Sequence, residues 1–304
     1  MTRLTRMILP AALGLTALLA QPATAALKVL ACEPEWAALV QELAGDNASV
    51  SSATTALQDV HHIEARPSLI ARARNADLVV CTGSELEIGW LPLLLRQSGN
   101  ARIQPGTPGF LEASQFVPRL EIPRVLDRSL GDVHPAGNPH IHLDPRNIAR
   151  VAEVLRDRLS ALDPANADTY KARSTAFHAR WRDAIRRWEA EAAPLRGLTM
   201  VVYHNNLAYL NAWLGLREVG SLDPKPGIPP TTAHLAGLVA RMQAEPAKVI
   251  VYMAYHNPQA AEFLSERSKI PAVMLPFTVG GSDGAKDLFG LFDDTLARLL
   301  AVQK

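Results

Sequence analysis

The sequence predicts an α/β protein with two lobes, each containing a parallel β-sheet, joined by one long helix. Short apolar segments alternate with helical patterns in both halves of the 304-residue chain. Strands that are apolar on both faces and separated by helices are typical of parallel sheets covered on both sides. Between the halves, one amphipathic pattern extends over residues 163–193. A chain of this length also favours two structural units over one.

The first 25 residues predict a secretory signal peptide that is cleaved near Ala25. Arg3 and Arg6 precede an apolar run over residues 7–20, and Ala23-Thr24-Ala25 fits a cleavage site of small residues. The run is shorter than the ~20 residues that a transmembrane helix needs, so we expect a periplasmic protein. Cleavage removes two of the 31 basic residues and leaves 29 against 30 acidic ones. This balance argues against nucleic acid as a partner.

The mature chain divides into three predicted parts: an N-terminal lobe (26–160), a linking helix (161–194) and a C-terminal lobe (195–304). The predicted elements of the N-terminal lobe are strands at 28–31, 49–54 and 77–80 and helices at 35–44 and 68–75. Those of the C-terminal lobe are strands at 198–203, 248–253 and 272–275. The linking helix carries large apolar residues at helical spacing, namely Tyr170, Phe177, Trp181, Ile185 and Trp188.

The chain has two cysteines, and both follow apolar strand segments. Cys32 follows the first predicted strand and Cys81 the third. In the common 2-1-3 strand order these two strands are neighbours, which brings the thiols to the same end of the sheet. In an oxidising compartment we expect a disulfide between them. The alternative is that one of the thiols binds zinc.

Residues 131–145, GDVHPAGNPHIHLDP, contain three histidines within nine residues. Proline and glycine prevent a regular helix here, so the imidazoles lie on a loop, where metal ligands are common. The alternative is a solvated histidine-rich loop. His140 and His142 are two residues apart, and in an extended segment their side chains point to opposite sides. We therefore do not expect both to bind one ion directly.

Proteins with open parallel sheets bind their ligands outside the carboxyl ends of the strands, and two further histidines lie at such positions. His61 is in the loop after the second predicted strand, and His204 directly follows strand 198–203. A lone histidine in the loop of His61 is also compatible with a surface or capping role. Three further histidines lie within or next to predicted helices and are interpreted as structural: His178, His234 and His256.

These segments together resemble the metal-binding receptors of ABC importers, the periplasmic zinc and manganese solute-binding proteins. The segment DVHHIEARPS (59–68) is similar to the family's Asp-Pro-His-x-aromatic-Glu-Pro motif, which assigns the first ligand to His61 rather than His62. The segment NPHIHLDP (138–145) is similar to Asp-Pro-His-x-Trp-Leu-Asp-Pro, which assigns the second ligand to His140. Tyr203-His204-Asn205, followed by Tyr209 and Gly215-Leu216, matches the third. The resemblance covers essentially the whole mature chain and implies a metal site in the interlobe cleft.

The resemblance also implies an acidic fourth ligand on a late loop of the second lobe. That loop reads PFTVGGSDGAKD (276–287), and Asp283 is the predicted ligand, with Asp287 as the alternative. Glycines allow such a loop to bring a short carboxylate into a cleft. The further alternative is that Asp283 only shapes its turn and water completes the site. His62, His134 and His142 remain as candidate accessory contacts. We expect His134, together with His62, to pass zinc to His140, and His142 to pack or hydrogen-bond beside the site.

Ligand chemistry favours zinc over manganese. Three imidazoles and one carboxylate suit tetrahedral Zn²⁺, whereas manganese prefers more oxygen ligands. We expect a monomer that captures Zn²⁺ in the periplasm and delivers it to an ABC permease in the inner membrane. A periplasmic protein that donates zinc is a further expected partner.

Three other functions are weighed against this one. A manganese receptor or a metal-binding adhesin would share the fold. A zinc metallohydrolase would leave one coordination position open for water, and the sequence contains no H-E-x-x-H motif. We therefore expect a binding protein rather than an enzyme.

Overall fold

The computed structural model describes residues 26–126, 131 and 133–303. The predicted signal peptide lies outside these residues. Among the helices of the described part, none is long and apolar enough to cross a membrane.

The first lobe is built on a four-stranded parallel sheet with the order β2-β1-β3-β4. Its strands are β1 (Leu27–Ala31), β2 (Ala48–Ser52), β3 (Leu78–Cys81) and β4 (Phe110–Glu112). Its helices are α1 (Pro34–Ala44), α2 (Pro67–Asn75), α3 (Leu91–Ser98) and α4 (Pro145–Leu162). All four residues of β3 are buried, as expected for a strand covered on both faces. The predicted neighbourhood of the first and third strands is therefore confirmed.

The second lobe repeats this arrangement with the sheet order β6-β5-β7-β8, again all parallel. Its strands are β5 (Thr199–Val202), β6 (Arg217–Ser221), β7 (Val249–Met253) and β8 (Ala272–Leu275). Its helices are α6 (Ala208–Leu214), α7 (Thr232–Ala244), α8 (Gln259–Ser268) and α9 (Leu288–Ala301). The expectation of two α/β lobes is confirmed.

The long helix between the lobes is α5 (Ala167–Glu191), which has 25 residues. It is shorter than the predicted span because Pro164 and Pro194 lie in short 3-10 turns at its two ends. The helix contacts α1 and α4 of the first lobe and α9 of the second. Trp181 is fully buried and makes ring contacts with Trp188 and with Phe292 of α9. One hydrophobic core thus runs along α5 through both lobes.

Two strands of the structure, β4 and β6, are not predicted by the hydrophobic pattern of the sequence. The strand β4 has only three residues, and β6 exposes both Arg217 and Glu218. The strand β6 is at an edge of its sheet and β4 at an edge of the other. Edge strands need not be apolar on both faces, which explains why the pattern did not show them.

Candidate metal centre

The first predicted ligand, His61, is held by a carboxylate two residues before it. Oδ1 of Asp59 accepts hydrogen bonds from the backbone N–H of His61 at 3.0 Å and from its ring Nδ1 at 2.8 Å. The loop is fixed from the other side by Trp90, whose indole N–H donates to the carbonyl of Val60 at 2.8 Å. Because Nδ1 donates its proton to a carboxylate, Nε2 of His61 carries the free lone pair.

His140 repeats this local arrangement with an amide in place of the carboxylate. Oδ1 of Asn138 accepts from the backbone N–H of His140 at 3.1 Å and from Nδ1 at 2.9 Å. The amide nitrogen of Asn138 donates to the carbonyl of Asn205 and to Glu121, each at 3.0 Å, which fixes the orientation of the amide. His140 is 1% exposed and directly precedes a 3-10 turn, Ile141–Leu143. Its Nε2 is therefore also the nitrogen that is available for a metal.

His204 comes from the second lobe, two residues after the end of β5. Its Nδ1 donates to Oδ2 of Asp223 at 3.0 Å, and both side chains are less than a tenth exposed. Asp223 follows β6, the strand that pairs with β5 in the sheet. The two neighbouring strand ends thus supply the imidazole and the group that orients it.

The histidine cluster, His61, His140 and His204, brings both lobes to one point. One nitrogen from each ring lies within 4.8 Å of the other two, and the ring centroids are 5.7–5.9 Å apart. Nitrogens around a tetrahedral zinc ion are ~3.3 Å apart, so a small inward shift would complete the geometry. Nε2 of His61 and Nε2 of His140 are buried without a hydrogen-bond partner among the described residues. Buried polar atoms without partners are costly, and a metal ion would satisfy both.

The electrostatics around His140 favour its neutral imidazole, the form that binds metal. Burial, followed by repulsion from His204, His61 and other nearby imidazoles, lowers the pKa of His140 well below its usual range. Burial alone would raise the pKa of Asp59, but its hydrogen bonds and attraction to His61 hold that pKa far below its ordinary value. Asp59 is therefore a carboxylate across the physiological range and fixes the tautomer of His61.

Two cavities are lined by residues of the cluster. One, of about 210 Å³, is lined by Asp59, His61, His204 and Asp223. The other, of about 240 Å³, is lined by His134, His140 and His204 together with Glu121 and Pro226. An ion therefore has access to the cluster between the lobes.

The accessory histidines lie at different depths around the cluster. The ring centroid of His134 is 5.5 Å from that of His61 and 6.5 Å from that of His140. His62 is largely exposed, and its Nδ1 lies 3.2 Å from Asp59. Accessory contacts by these two side chains stay predictions.

His142 faces away from the cluster and joins the two lobes. Its Nε2 donates to the carbonyl of Phe277 at 2.9 Å, and its Nδ1 lies 3.3 Å from Oε1 of Glu35 in the first turn of α1. Both side chains of the Glu35–His142 pair are fully buried. An accessory metal contact by His142 would require one of these interactions to break, so the structure gives that prediction no support.

The predicted acidic ligand does not lie in the cluster. Asp283 is exposed in a turn whose backbone is closed by hydrogen bonds from Gly280 to Ala285 and from Ala285 to Ser282. Asp287 caps α9, where its Oδ1 accepts from the backbone N–H of Gly290 at 2.8 Å. A role for Asp283 as fourth ligand would require the turn to open. The assignment stays a prediction.

The two cysteines form a disulfide, Cys32–Cys81, with a Cα–Cα distance of 4.8 Å. The sulfurs lie close to the carboxylate of Glu87, so these three groups are within ligand distance of one another. A metal site is excluded there because the sulfurs are bonded to each other. The expected disulfide is therefore present, and neither cysteine is a thiol ligand.

The histidines interpreted as structural make contacts with protein atoms. His178 joins the backbone of α5 to that of α4, and His234 contacts the carbonyl of Ser221. His256 accepts from the backbone N–H of Met253 and stacks on Tyr203 at 4.0 Å. Burial lowers the pKa of His256 to about 3.

The orienting groups Asp59, Asn138 and Asp223 were not identified from the sequence. For the first two a local signal exists, because an Asp or Asn stands two residues before each of His61 and His140. Asp223 is 19 residues from His204 and meets it only through the pairing of β5 with β6. No local pattern reveals such a contact.

Comparisons with known proteins give the family. Residues 29–302 match the model of the family described as "Zinc-uptake complex component A periplasmic", ZnuA. The high-affinity zinc uptake system protein ZnuA of Paracoccus denitrificans is 26% identical, over 97% of this chain and 96% of that protein. The zinc-binding lipoprotein AdcA of Streptococcus pneumoniae is 22% identical over 77% of this chain, which spans only 46% of AdcA. 

A crystal structure of ZnuA superimposes with a TM-score of 0.74 at 20% identity, over 90% of this chain and 100% of that one. This likeness supports the two-lobed fold. The family model matches nearly all of the described residues, and this match establishes the family as well as the fold. The chain belongs to the ZnuA family of periplasmic zinc-uptake components.

Proposed function

We propose that this protein captures Zn²⁺ in the periplasm and delivers it to an ABC permease in the inner membrane. The observation that carries the proposal is the histidine cluster. Three imidazoles from both lobes have Nδ1 fixed by oxygen acceptors, so that their Nε2 lone pairs meet in one place. Oriented neutral imidazoles of this kind are ligands for zinc.

The ligand chemistry supports zinc rather than manganese as the cargo. Manganese prefers carboxylate, carbonyl and water oxygens, and the cluster offers only nitrogens. Cu²⁺ binds nitrogen sites more strongly than Zn²⁺ in general, so geometry and supply decide selectivity in the periplasm. The fourth position is the predicted place of Asp283.

The mechanism is capture and release without bond chemistry. His61 and His140 bind from the first lobe and His204 from the second, so the ion couples the two lobes. The helix α5 packs on both lobes, which limits hinge bending to small rotations and local loop ordering. We propose that the metal-bound monomer docks on the permease after the leader has been cleaved near Ala25, and that a periplasmic donor protein supplies part of the zinc.

Metal binding is tested on the purified mature protein. We expect one zinc ion per chain, with strong preference over manganese in competition against a chromophoric chelator. His61→Ala, His140→Ala and His204→Ala should each weaken zinc binding by a hundredfold or more, about 2.7 kcal/mol. His178→Gln is the matched control, since His178 contacts only protein atoms between α4 and α5. Equal affinity in all four variants would overturn the proposal.

Delivery is tested in cells that lack the chromosomal gene for this protein. The wild-type gene should restore growth and zinc accumulation under zinc limitation, whereas His204→Ala should not. If a manganese supplement rescues growth and zinc does not, the cargo is manganese. If neither metal matters but adhesion to host surfaces is lost, the adhesin alternative is correct. A metallohydrolase would keep an exchangeable metal-bound water, which spectroscopy of the cobalt-substituted protein detects.

A further inference from the structure

Three glutamates lie deep in the first lobe beside the disulfide. Glu33, Glu35 and Glu87 are each no more than 2% exposed. Glu35 faces His142, but within the described residues neither Glu33 nor Glu87 forms an ion pair with a cationic side chain. Two buried carboxylates without a cation are unfavourable unless one of them binds a proton.

The hydrogen bonds of Glu33 and Glu87 identify which carboxyl carries that proton. Both oxygens of Glu87 accept backbone N–H groups, Oε1 from Thr82 at 2.7 Å and Oε2 from Gly83 at 3.1 Å. Oε2 of Glu33 accepts from the hydroxyl of Thr82 at 3.0 Å. Oε1 of Glu33 has no donor among the described residues. The two carboxyl groups are within hydrogen-bond reach of each other, so a proton on Glu33 makes it a donor toward Glu87, whose oxygens already accept backbone N–H groups.

The surroundings of the pair agree with this assignment. Burial, followed by repulsion from Glu87 and Glu35, raises the pKa of Glu33 well above its usual range. Burial raises the pKa of Glu87 to about 7 against the opposing effect of its hydrogen bonds. The other titratable groups near the pair are His142 beyond Glu35 and Glu112 of β4, whose side chain lies next to Gly83. None of these is a permanent cation.

The pair closes a turn with an unfavourable backbone. Gly83, Ser84 and Glu85 have successive φ values of 80°, 53° and 64°. Residues other than glycine rarely adopt this left-handed conformation, so the turn needs compensating contacts. Glu87 supplies them by binding the N–H groups of Thr82 and Gly83 at the start of the turn.

The far end of the same turn touches the loop that carries His61. A Cβ atom on Gly89 would lie 2.9 Å from the carbonyl oxygen of His61, so the two backbones pack closely. Trp90 is 1% exposed and donates to the carbonyl of Val60. The backbone immediately before His61 is therefore held by a turn that Glu87 closes.

We propose that Glu33 and Glu87 share one proton, with Glu33 as the carboxylic acid and Glu87 as the carboxylate, and that this acidic pair is a positioning element for His61 through the 82–90 turn. The second half of the proposal rests on the proposed function, because it assumes that His61 binds the metal. The first half concerns the metal-free protein alone. The pair is distinct from the zinc ligands and touches none of them directly.

Infrared spectroscopy of the metal-free protein tests the shared proton. A protonated carboxyl has a carbonyl stretching band that carboxylates lack, and we expect this band in the wild type at neutral pH. Burial raises the pKa of Glu218 to about 7, so this residue contributes to the band in every variant. Glu33→Gln should lose one carboxyl component relative to the wild type, whereas Glu35→Gln, the matched control two residues further along the chain, should keep it. Loss of this component in Glu35→Gln but not in Glu33→Gln would place the proton on Glu35 and overturn the proposal.

Thermal unfolding of the same variants gives the pH dependence. A raised pKa in the folded state stabilises the fold at low pH, and this contribution is lost as pH rises through the folded pKa. As pH rises above the ordinary carboxyl range, the melting temperature of the wild type should therefore fall more steeply than that of Glu33→Gln, whose amide donates to Glu87 at every pH. Parallel profiles would contradict the shared proton even if a variant folds poorly.

Zinc affinity tests the positioning role separately. Glu33→Gln should keep the zinc dissociation constant within about threefold at neutral pH, whereas Glu33→Ala should raise it by about tenfold, since the alanine variant leaves Glu87 without its donor. Unchanged affinity in Glu33→Ala would refute the coupling to His61 and leave the shared proton intact. Failure of the wild type itself to bind zinc would instead refute the proposed function.

Discussion

Nδ1 of His204 donates to the carboxylate of Asp223, and the two side chains come from the carboxyl ends of neighbouring strands. This contact fixes the tautomer that leaves Nε2 free for metal, and it strengthens the imidazole as a ligand. The same role falls to Asp59 for His61 and to Asn138 for His140. The cluster is thus oriented before any ion arrives.

The first prediction concerns Asp223→Asn. Loss of the negative charge weakens the orientation and basicity of His204, so the zinc dissociation constant should rise between about 10-fold and 100-fold. Isothermal or chelator-competition titrations measure it. Asp46→Asn removes the same charge from an exposed residue in the turn between α1 and β2 and serves as the control. Equal affinities of the two variants would show that Asp223 does not act on the ligand.

The second prediction concerns the fourth ligand. If the turn at Gly280–Ala285 opens on binding, Asp283→Ala removes a charged ligand and should raise the dissociation constant by at least about tenfold. Asp287→Ala should leave affinity unchanged and lower the melting temperature, because it removes the cap of α9. An unchanged affinity in Asp283→Ala would leave three imidazoles and water as the site.

The third prediction is a loss of zinc in mild acid. Protons compete with the metal for imidazole nitrogens, and an ordinary imidazole is half protonated near pH ~6.5. Burial lowers the pKa of His140, which keeps that ring neutral to lower pH. The apparent dissociation constant should rise steeply between about pH 7.5 and pH 5.5. A constant value over this range would exclude a site made of three histidines.

The fourth prediction concerns His134 as a transient contact on the path of the ion. Its ring lies 5.5 Å from that of His61, beside the cavity that leads to His140. His134→Ala should slow the transfer of zinc from a chelator or donor protein, while equilibrium affinity stays within about threefold, under ~0.7 kcal/mol. Stopped-flow loading separates the outcomes. An unchanged rate would leave His134 without a role in transfer, and a hundredfold loss of affinity would make it a true ligand.

The fifth prediction concerns the disulfide, which joins residues 49 positions apart. Crosslinking a loop of this length should contribute about 3–4 kcal/mol to the free energy of unfolding on the chain-entropy model. The double variant Cys32→Ala, Cys81→Ala should lose most of this in urea unfolding. The single variants should match the double one, since each already lacks the bond. A loss below about 1 kcal/mol would mean that native-state strain offsets the entropic gain.

The sequence predicts this fold well because strands buried on both faces give short, uninterrupted apolar segments, as in β3 and β7. Elements that are only partly buried, or whose ends depend on single residues, are harder to predict. The edge strand β6 alternates exposed and buried positions too weakly to be recognised, and the bounds of α5 depend on Pro164 and Pro194. Local spacing also predicts the loops that carry His61 and His140, because the motifs are short and contiguous.

Contacts between residues that are far apart in the chain cannot be predicted from local patterns, and parts of the site depend on such contacts. The bond from His142 to Phe277 spans 135 positions, so nothing near His142 shows that it joins the lobes instead of facing the metal. The fourth ligand has no local signal of this kind either, because the glycine-rich surroundings of Asp283 allow several conformations of its loop. Spacing along the chain tells where ligands are available, and three-dimensional pairing decides which of them meet.

The continuous core along α5 has a consequence for modularity. Trp181 and Trp188 pack against α9, while Phe177 and Tyr170 of the same helix belong to the same buried cluster as α1 and α4. Each lobe therefore lacks part of its own interior when the other is removed. Although the two sheets look like a duplicated unit, neither half of this chain is an autonomous building block that recombination or truncation can separate and keep folded.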